Sequence, residues 1–151
     1  MAQPDQLNIP IKKLDEKAIV PENAYHGDAG VDLHALEGVV LQPFERALIP
    51  TGVAMAIPEG YAGFVLPRSG AAIKKGLSLV NSPGLIDSNY RGDIGVIAIN
   101  LDAKNAIEIE PGDRIAQLVI MKVENVDFHM ADELDETERA AGGFGSSGFS
   151  A

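Results

Sequence analysis

The sequence predicts an all-β domain with one short helix. Three observations lead there. The apolar segments are short, lying at 7–14, 38–41, 47–57, 61–66, 77–80, 94–101, 106–109 and 114–123. Strong turn formers separate them: Pro58-Glu59-Gly60, Ser82-Pro83-Gly84 and Pro111-Gly112-Asp113. Proline presets φ in such turns and glycine accepts φ > 0. Only two stretches have helix-forming composition. Many short strands at this spacing point to a barrel or a sandwich.

Of the two helical stretches, 69–75 (SGAAIKK) is expected to form a short helix, capped by Ser69 and stopped by Gly76. The second, 131–141 (ADELDETERAA), lacks an apolar stripe to dock it and is expected to be irregular. From residue 140 the chain reads AAGGFGSSGFSA, a composition expected to be flexible when free.

A chain of 151 residues fits one domain with a real core. The formal net charge of −10 disfavours nucleic acid and anionic membrane surfaces, because the mean field repels phosphate. Any phosphate site must then be a local basic pocket. With no cysteine, disulfides and thiol chemistry are excluded. The first residues, MAQPDQLNIPIKK, do not have a basic stretch followed by an apolar one, so no signal peptide is expected. No segment approaches the ~20 apolar residues of a membrane span. A cytoplasmic protein is expected.

The arginines are Arg46, Arg68, Arg91, Arg114 and Arg139, and all but Arg46 lie beside glycines or in turn-rich segments. Arginine matches phosphate oxygens bidentately and keeps its charge, although each one taken singly also suits an ordinary surface position. Arg68-Ser69-Gly70 can present backbone amides and a hydroxyl to an anion, or can be a plain strand-to-helix turn. In the segment 81–92, NSPGLIDSNYRG, Asn81 offers the donor and acceptor that reading a base edge needs. Leu85 and Ile86 flank Asp87 and would raise its basicity by shielding it, and Tyr90 puts a ring near the same turn. A hairpin with a purely structural aspartate fits these residues equally well. Asp32, in the short strand of AGVDL, can hold a magnesium ion through water or can be a surface aspartate. In the tail, Arg139 can meet phosphate, Phe144 can stack on a base, and Gly145 and Ser146 can offer amides, as a lid that orders over a nucleotide.

Taken together, AGVDL (29–33), RSG (68–70), NSPGLIDSNYRG (81–92), GDRIAQL (112–118) and RAAGGFGSSG (139–148) resemble, in order and spacing, the five motifs of the homotrimeric dUTPase family. The long central motif and GDRIAQ are specific, whereas AGVDL and RSG alone are not. The resemblance implies a jelly-roll-like β-clip barrel over residues 1–128 and a C-terminal arm over 129–151 that closes on an active site. It implies a homotrimer with sites shared between subunits. It also implies hydrolysis of dUTP to dUMP and pyrophosphate with Mg2+, which limits uracil in DNA and supplies dUMP for thymidylate synthesis.

On this resemblance Asp87 is the base that directs water at the α-phosphorus. Asn81, with backbone at Gly84, Leu85, Ile86, Asp87 and Gly95, reads uracil. Tyr90 packs on deoxyribose and rejects a 2′-hydroxyl. Arg68, Ser69, Gly70 and Gln117 contact phosphates, and Asp32 holds magnesium-bound water. Arg139 clamps the γ-phosphate, Phe144 stacks on the base, and Arg114 supports the site. Asp28 and Asp93 match no catalytic role and are expected at turns or at the rim. One position departs from the family: Ala140 stands where glycine usually follows the motif arginine. If φ is positive there, alanine costs on the order of 1 kcal/mol.

Two other readings compete. A dCTP deaminase-like enzyme would need a glutamate in the strand after the central motif, and 94–101 (IGVIAINL) contains none. A non-catalytic nucleotide-binding β-barrel would not need Asn81, Asp87, Tyr90 and Arg139 together.

Overall fold

The computed structural model describes residues 6–150; the outermost residues of the two predicted regions, 1–5 and 151, lie outside it. Eleven strands and one helix follow in the order β1 (Ile11–Lys13), β2 (Val31–His34), β3 (Val39–Leu41), β4 (Arg46–Ile49), β5 (Val53–Met55), β6 (Tyr61–Leu66), α1 (Ser69–Lys75), β7 (Leu77–Leu79), β8 (Gly84–Ile86), β9 (Val96–Asn100), β10 (Ile107–Ile109) and β11 (Arg114–Lys122). The all-β class holds. Segment 47–57 splits at Pro50-Thr51-Gly52, because Gly52 takes φ +73° and turns the chain between β4 and β5. The segment 131–141 is irregular, as its missing apolar stripe predicts.

Among the described residues the strands pair into four sheets, ordered β1-β5, β10-β3, β2-β11-β6-β8 and β4-β9-β7. The barrel expected from the family resemblance is therefore not closed by one continuous ladder. Its strands are mostly three to five residues long, and the longest, β11, carries a register shift between Arg114 and Ala116. Closure is replaced by a shared core. Leu33, Leu41, Ile49, Val53, Val65, Val96, Ile107, Ile115 and Leu118 belong to one buried cluster drawn from all four sheets. Burial alternates along β9 and β10, the period expected of strands with one face inward.

Among the described residues, two polar ones are sunk in this core. Asn100 donates to the carbonyls of Leu41 (3.0 Å) and Asn105 (2.8 Å) and accepts from the Asp102 amide (2.8 Å). Thr51 donates its hydroxyl to the Ile94 carbonyl at 2.7 Å. Both satisfy the rule that buried polar groups are hydrogen-bonded.

Helix α1 spans the predicted residues, but its cap differs from expectation. The N-cap is Arg68, in extended conformation, with no side-chain cap hydrogen bond, and Ser69 is the first helical residue. The extended backbone of β6 runs through Pro67 to Arg68, so the turn falls one residue earlier and the Ser69 hydroxyl is left out of capping. Gly76 ends the helix in the left-handed region (φ 72°), as predicted, and its amide reaches the carbonyls of Ala71 and Ala72.

Candidate active site

Strands β2, β11 and β6 of the four-stranded sheet gather three of the sequence motifs. β11 lies between β2 and β6, so Gln117 pairs with Asp32 on one side and Leu66 on the other. Arg68, Ser69 and Gly70 follow two residues beyond Leu66. Here a pocket of about 490 Å³ is lined by Asp32, Arg68, Ser69, Gly70 and Gln117, together with Tyr25, Asp28 and Gly30. The Arg68 Nε lies 2.9 Å from Asp32 Oδ1, and the Arg114 Nε lies 3.6 Å from Asp32 Oδ2. Arg114 thus meets the pocket through Asp32 and does not line it. Gln117 donates its amide to the Pro67 carbonyl at 2.9 Å, which fixes the approach to Arg68. A Cβ on Gly30 would stand 2.8 Å from Gln117 Oε1, so this glycine is what lets the glutamine pack against β2. Gly70 opens onto free space.

The charges here act on a neighbour. His34, two residues after Asp32, has its pKa lowered by burial first and by the Arg114 guanidinium next, with Asp32 opposing. Its Nδ1 is buried without a hydrogen-bond partner. A neutral imidazole is favoured there.

A second pocket, of about 410 Å³, is lined by Leu85, Ile86, Asp87 and Tyr90 from the central motif, by Asp93 and Gly95 just after it, and by Leu48 of β4, Pro50 directly after β4 and Ile97 of β9. The segment 81–92 is not the two-stranded hairpin expected. β8 pairs antiparallel with β6, Val65 facing Gly84 and Gly63 facing Ile86. The chain then turns at Asp87, whose carbonyl accepts from the Tyr90 amide at 3.1 Å. Asp87 comes just beyond the end of an edge strand, and this decides its environment. It is exposed, and Leu85 is itself 59 % exposed. The shielding of Asp87 by Leu85 and Ile86, expected from the sequence, is absent within the single chain.

The predicted residues therefore fall into separate groups. Leu85, Ile86, Asp87, Tyr90 and Gly95 share the second pocket, and Asp32, Arg68, Ser69, Gly70 and Gln117 share the first, with no lining residue in common. Asn81 and Gly84 sit together at the start of β8, outside the lining of both. A Cβ on Gly84 would come within 3.3 Å of the Asn81 amide nitrogen, so Gly84 admits the asparagine side chain. Arg139, Phe144, Gly145 and Ser146 lie on the arm, where Phe144 is fully exposed and Arg139 Nε donates to the arm's own Gly142 carbonyl at 2.7 Å. Ala140 takes φ +46°, the left-handed conformation that its departure from the motif made costly.

Sequence reasoning missed Leu48, Pro50 and Ile97 as pocket walls. Leu48 and Ile97 belong to strands with no motif character, Pro50 directly follows β4, and only the β4–β9 pairing, with Leu48 opposite Ile97, brings them to the site. Asp28 and Asp93 are turn residues, as expected. Asp28 accepts the Tyr25 amide at 2.9 Å, and Asp93 accepts the amides of Thr51 and Gly52.

Among the described residues no group of three or more His, Asp or Glu converges as a ready-made metal site. The donor set fits a magnesium ion that keeps its hydration shell. Asp32 lines the first pocket with a carboxylate oriented by two guanidiniums, and its remaining lone pairs can take a metal-bound water.

Comparison with known proteins identifies the family. The dUTPase family profile matches residues 16–148. A relative from Nocardia farcinica (strain IFM 10152), named deoxyuridine 5'-triphosphate nucleotidohydrolase, is 55 % identical over 140 residues, covering 93 % of this chain and 85 % of its own. A relative of the same name from Corynebacterium glutamicum is 53 % identical over 144 residues, covering 95 % and 97 %. Among solved structures, a Staphylococcus bacteriophage 80alpha dUTPase mutant bound to dUpNHpp superposes with a TM-score of 0.88 at 33 % identity, covering 95 % of this chain and 100 % of its own. A mutant dUTPase from phage phi11 of S. aureus, described with a structural Mg(II) ion, gives 0.78 at 31 % identity, covering 84 % and 98 %. With the match extending over nearly the whole chain, this protein belongs to the dUTPase family.

Proposed function

We propose that this chain hydrolyses dUTP to dUMP and pyrophosphate, with Mg2+, at sites assembled between subunits of a homotrimer. The observation that carries the reading is the division of labour on one chain. One pocket holds Asp87 and Tyr90 between apolar walls, and a separate polar pocket holds Arg68, Ser69, Gly70 and Gln117 beside Asp32. Neither suffices for a nucleoside triphosphate. Juxtaposing the first on one subunit with the second on its neighbour gives a base-and-sugar site beside a triphosphate site.

In this reading Asn81 and the backbone from Gly84 to Asp87 hydrogen-bond uracil, and Gly95 lets the base approach. Tyr90 lies against the sugar. Asp87 accepts a proton from the water that attacks the α-phosphorus, as an in-line displacement requires. Contact with the neighbouring subunit supplies the water exclusion that Asp87 lacks alone. Arg68, the Ser69 hydroxyl, the Gly70 amide and Gln117 bind phosphate oxygens. Magnesium, when bound, neutralises triphosphate charge, with Asp32 holding it through water. In the C-terminal arm proposed over 129–151, Arg139 clamps the γ-phosphate, Phe144 stacks on the base, and Gly145 and Ser146 offer amides. The product dUMP feeds thymidylate synthesis, and removal of dUTP keeps uracil out of DNA.

The decisive experiment measures pyrophosphate release from dUTP, dCTP, dTTP and UTP with Mg2+, for the wild type and Asp87→Asn. Strong preference for dUTP and near-complete loss in Asp87→Asn are expected. Equal use of the four nucleotides, or near-normal turnover by the variant, would refute the reading.

A further inference from the structure

We infer that Asp93 is a positioning residue for Tyr90, coupling the β4–β5 turn to the ring that distinguishes deoxyribose from ribose. The inference rests on the proposal above that Tyr90 faces the sugar.

Asp93 Oδ1 accepts the Thr51 amide at 3.1 Å, and Oδ2 accepts the Gly52 amide at 2.9 Å. An ionised carboxylate across two consecutive amides makes two charge-assisted bonds, which are roughly twice as strong as neutral ones. The next residue is fastened as well. The Thr51 hydroxyl donates to the Ile94 carbonyl at 2.7 Å, and the Ile94 amide donates to the Val53 carbonyl at 2.9 Å. Thr51 is 2 % exposed and Ile94 is fully buried, so these bonds are sheltered from competing water. The Asp93 backbone is thereby fixed to the turn that joins β4 and β5.

The Tyr90 hydroxyl donates to the Asp93 carbonyl at 2.9 Å. The far end of the ring is thus tied to a group that is itself immobilised. Its near end is set by the Tyr90 amide on the Asp87 carbonyl and by Arg91, whose Nη1 donates to the carbonyls of Ser88 (2.6 Å) and Tyr90 (3.0 Å). Between the two ends the ring lies over Gly92, where a Cβ would overlap the tyrosine hydroxyl.

Tyr90 is 45 % exposed, so packing alone does not select its rotamer. Steric rejection of a 2′-hydroxyl works only if the ring cannot swing aside. The hydroxyl–carbonyl bond supplies that constraint, and the carboxylate of Asp93 holds the carbonyl in place. Asp93 also lines the same pocket as Tyr90. A mere turn staple would affect stability; a positioning residue also affects sugar selectivity.

The experiment compares Tyr90→Phe, Asp93→Ala, Asp93→Asn and the double variant Asp93→Ala/Tyr90→Phe. It reads the ratio of kcat/KM for dUTP to that for UTP, alongside Tm and the relative binding of dUMP and UMP by calorimetry. Tyr90→Phe and Asp93→Ala should each lower the ratio by roughly three- to ten-fold, the scale of one hydrogen bond. The double variant should fall no further than the worse single, because both changes break one link. Asp93→Asn, which keeps one of the two acceptors, should fall between wild type and Asp93→Ala. If Asp93→Ala does not fold, Asp93→Asn decides, since a wild-type ratio there overturns the inference. So do a lowered Tm with unchanged selectivity, an unchanged ratio in Tyr90→Phe, and losses that multiply in the double variant. The calorimetric comparison needs no turnover, so failure of wild-type dUTP hydrolysis, which sinks the proposed function, stays distinct from failure of this coupling.

Discussion

Arg68 and Asp32 form an ion pair, with 2.9 Å between Nε and Oδ1, that joins the start of the helix to strand β2. The pair is part-buried, and Arg114 reaches the other carboxylate oxygen. Arg68 spends its Nε on Asp32 and presents its terminal nitrogens, one of which is 3.4 Å from the Arg114 carbonyl. An arginine held by its inner nitrogen is pre-aimed and loses little freedom on meeting phosphate.

Asp32→Asn should therefore act twice, by freeing Arg68 and by weakening the hold on magnesium-bound water. We expect kcat/KM for dUTP to fall about ten- to a hundred-fold, the usual effect of losing an outer-shell partner. The half-saturating magnesium concentration should rise. A magnesium titration of both proteins checks this, and identical curves would count against the role given to Asp32.

Among the described residues, the arm's hydrogen bonds beyond residue 123 are local, such as Ser146 amide to Gly143 carbonyl (3.1 Å) and Gly148 amide to Gly145 carbonyl (2.9 Å). Deleting 139–151 should lower turnover severely and leave the assembly unchanged by size-exclusion chromatography with light scattering. Loss of the assembly would mean that the tail builds the oligomer and is no lid. Within the arm, Phe144→Ala should weaken nucleotide binding by roughly 1–3 kcal/mol if the ring stacks on the base.

Ala140 holds φ +46° immediately after Arg139. Glycine adopts this conformation without Cβ strain, at a saving of about 1 kcal/mol. Ala140→Gly should lower KM for dUTP, by up to about five-fold, if closure over nucleotide demands this conformation more strictly than the open arm does. Glycine also loosens the open arm, which opposes the gain. An unchanged or higher KM would show that strain at this position does not limit closure.

His34 gives a pH dependence of stability. Its folded pKa lies below the ordinary histidine value of 6.5 because burial and Arg114 disfavour the cation. The unfolded chain therefore binds the proton more readily. Stability is fully present above about pH 6.5 and is lost as pH falls from there through the folded value. Urea midpoints without magnesium should fall between pH 7 and 5, and His34→Gln should flatten that slope. A slope unchanged by the substitution would assign the effect to other groups.

Much of this architecture was legible along the chain. Strands such as β6 and β11 were readable because Pro58-Glu59-Gly60 and Pro111-Gly112-Asp113 precede them, and Gly76 marks the end of the helix, whereas β8 begins at Gly84, which reads as a turn former. The grouping of Asp32, Arg68 and Gln117 came from motif resemblance, and the sheet order β2-β11-β6 is its physical cause. Other features depend on pairings between distant segments, which local pattern does not encode. Leu48 joins the pocket only because β4 pairs with β9. The exposure of Asp87 follows from β8 being an edge strand, whereas its apolar neighbours in sequence suggested shelter. Ser69 looked like a cap by residue type, but the extended backbone at Arg68 moved the cap one residue earlier.

The two pockets share no lining residue, and this has a genetic consequence. On the proposed shared sites, a subunit crippled at Asp87 still carries an intact phosphate pocket, and one crippled at Arg68 still carries an intact base pocket. Two null alleles of these kinds, co-expressed, should complement, because some mixed assemblies pair the healthy half of one product with the healthy half of the other. Two alleles damaged in the same pocket should not. One crippled allele beside a normal one should spoil a site in each assembly it enters without silencing the whole assembly.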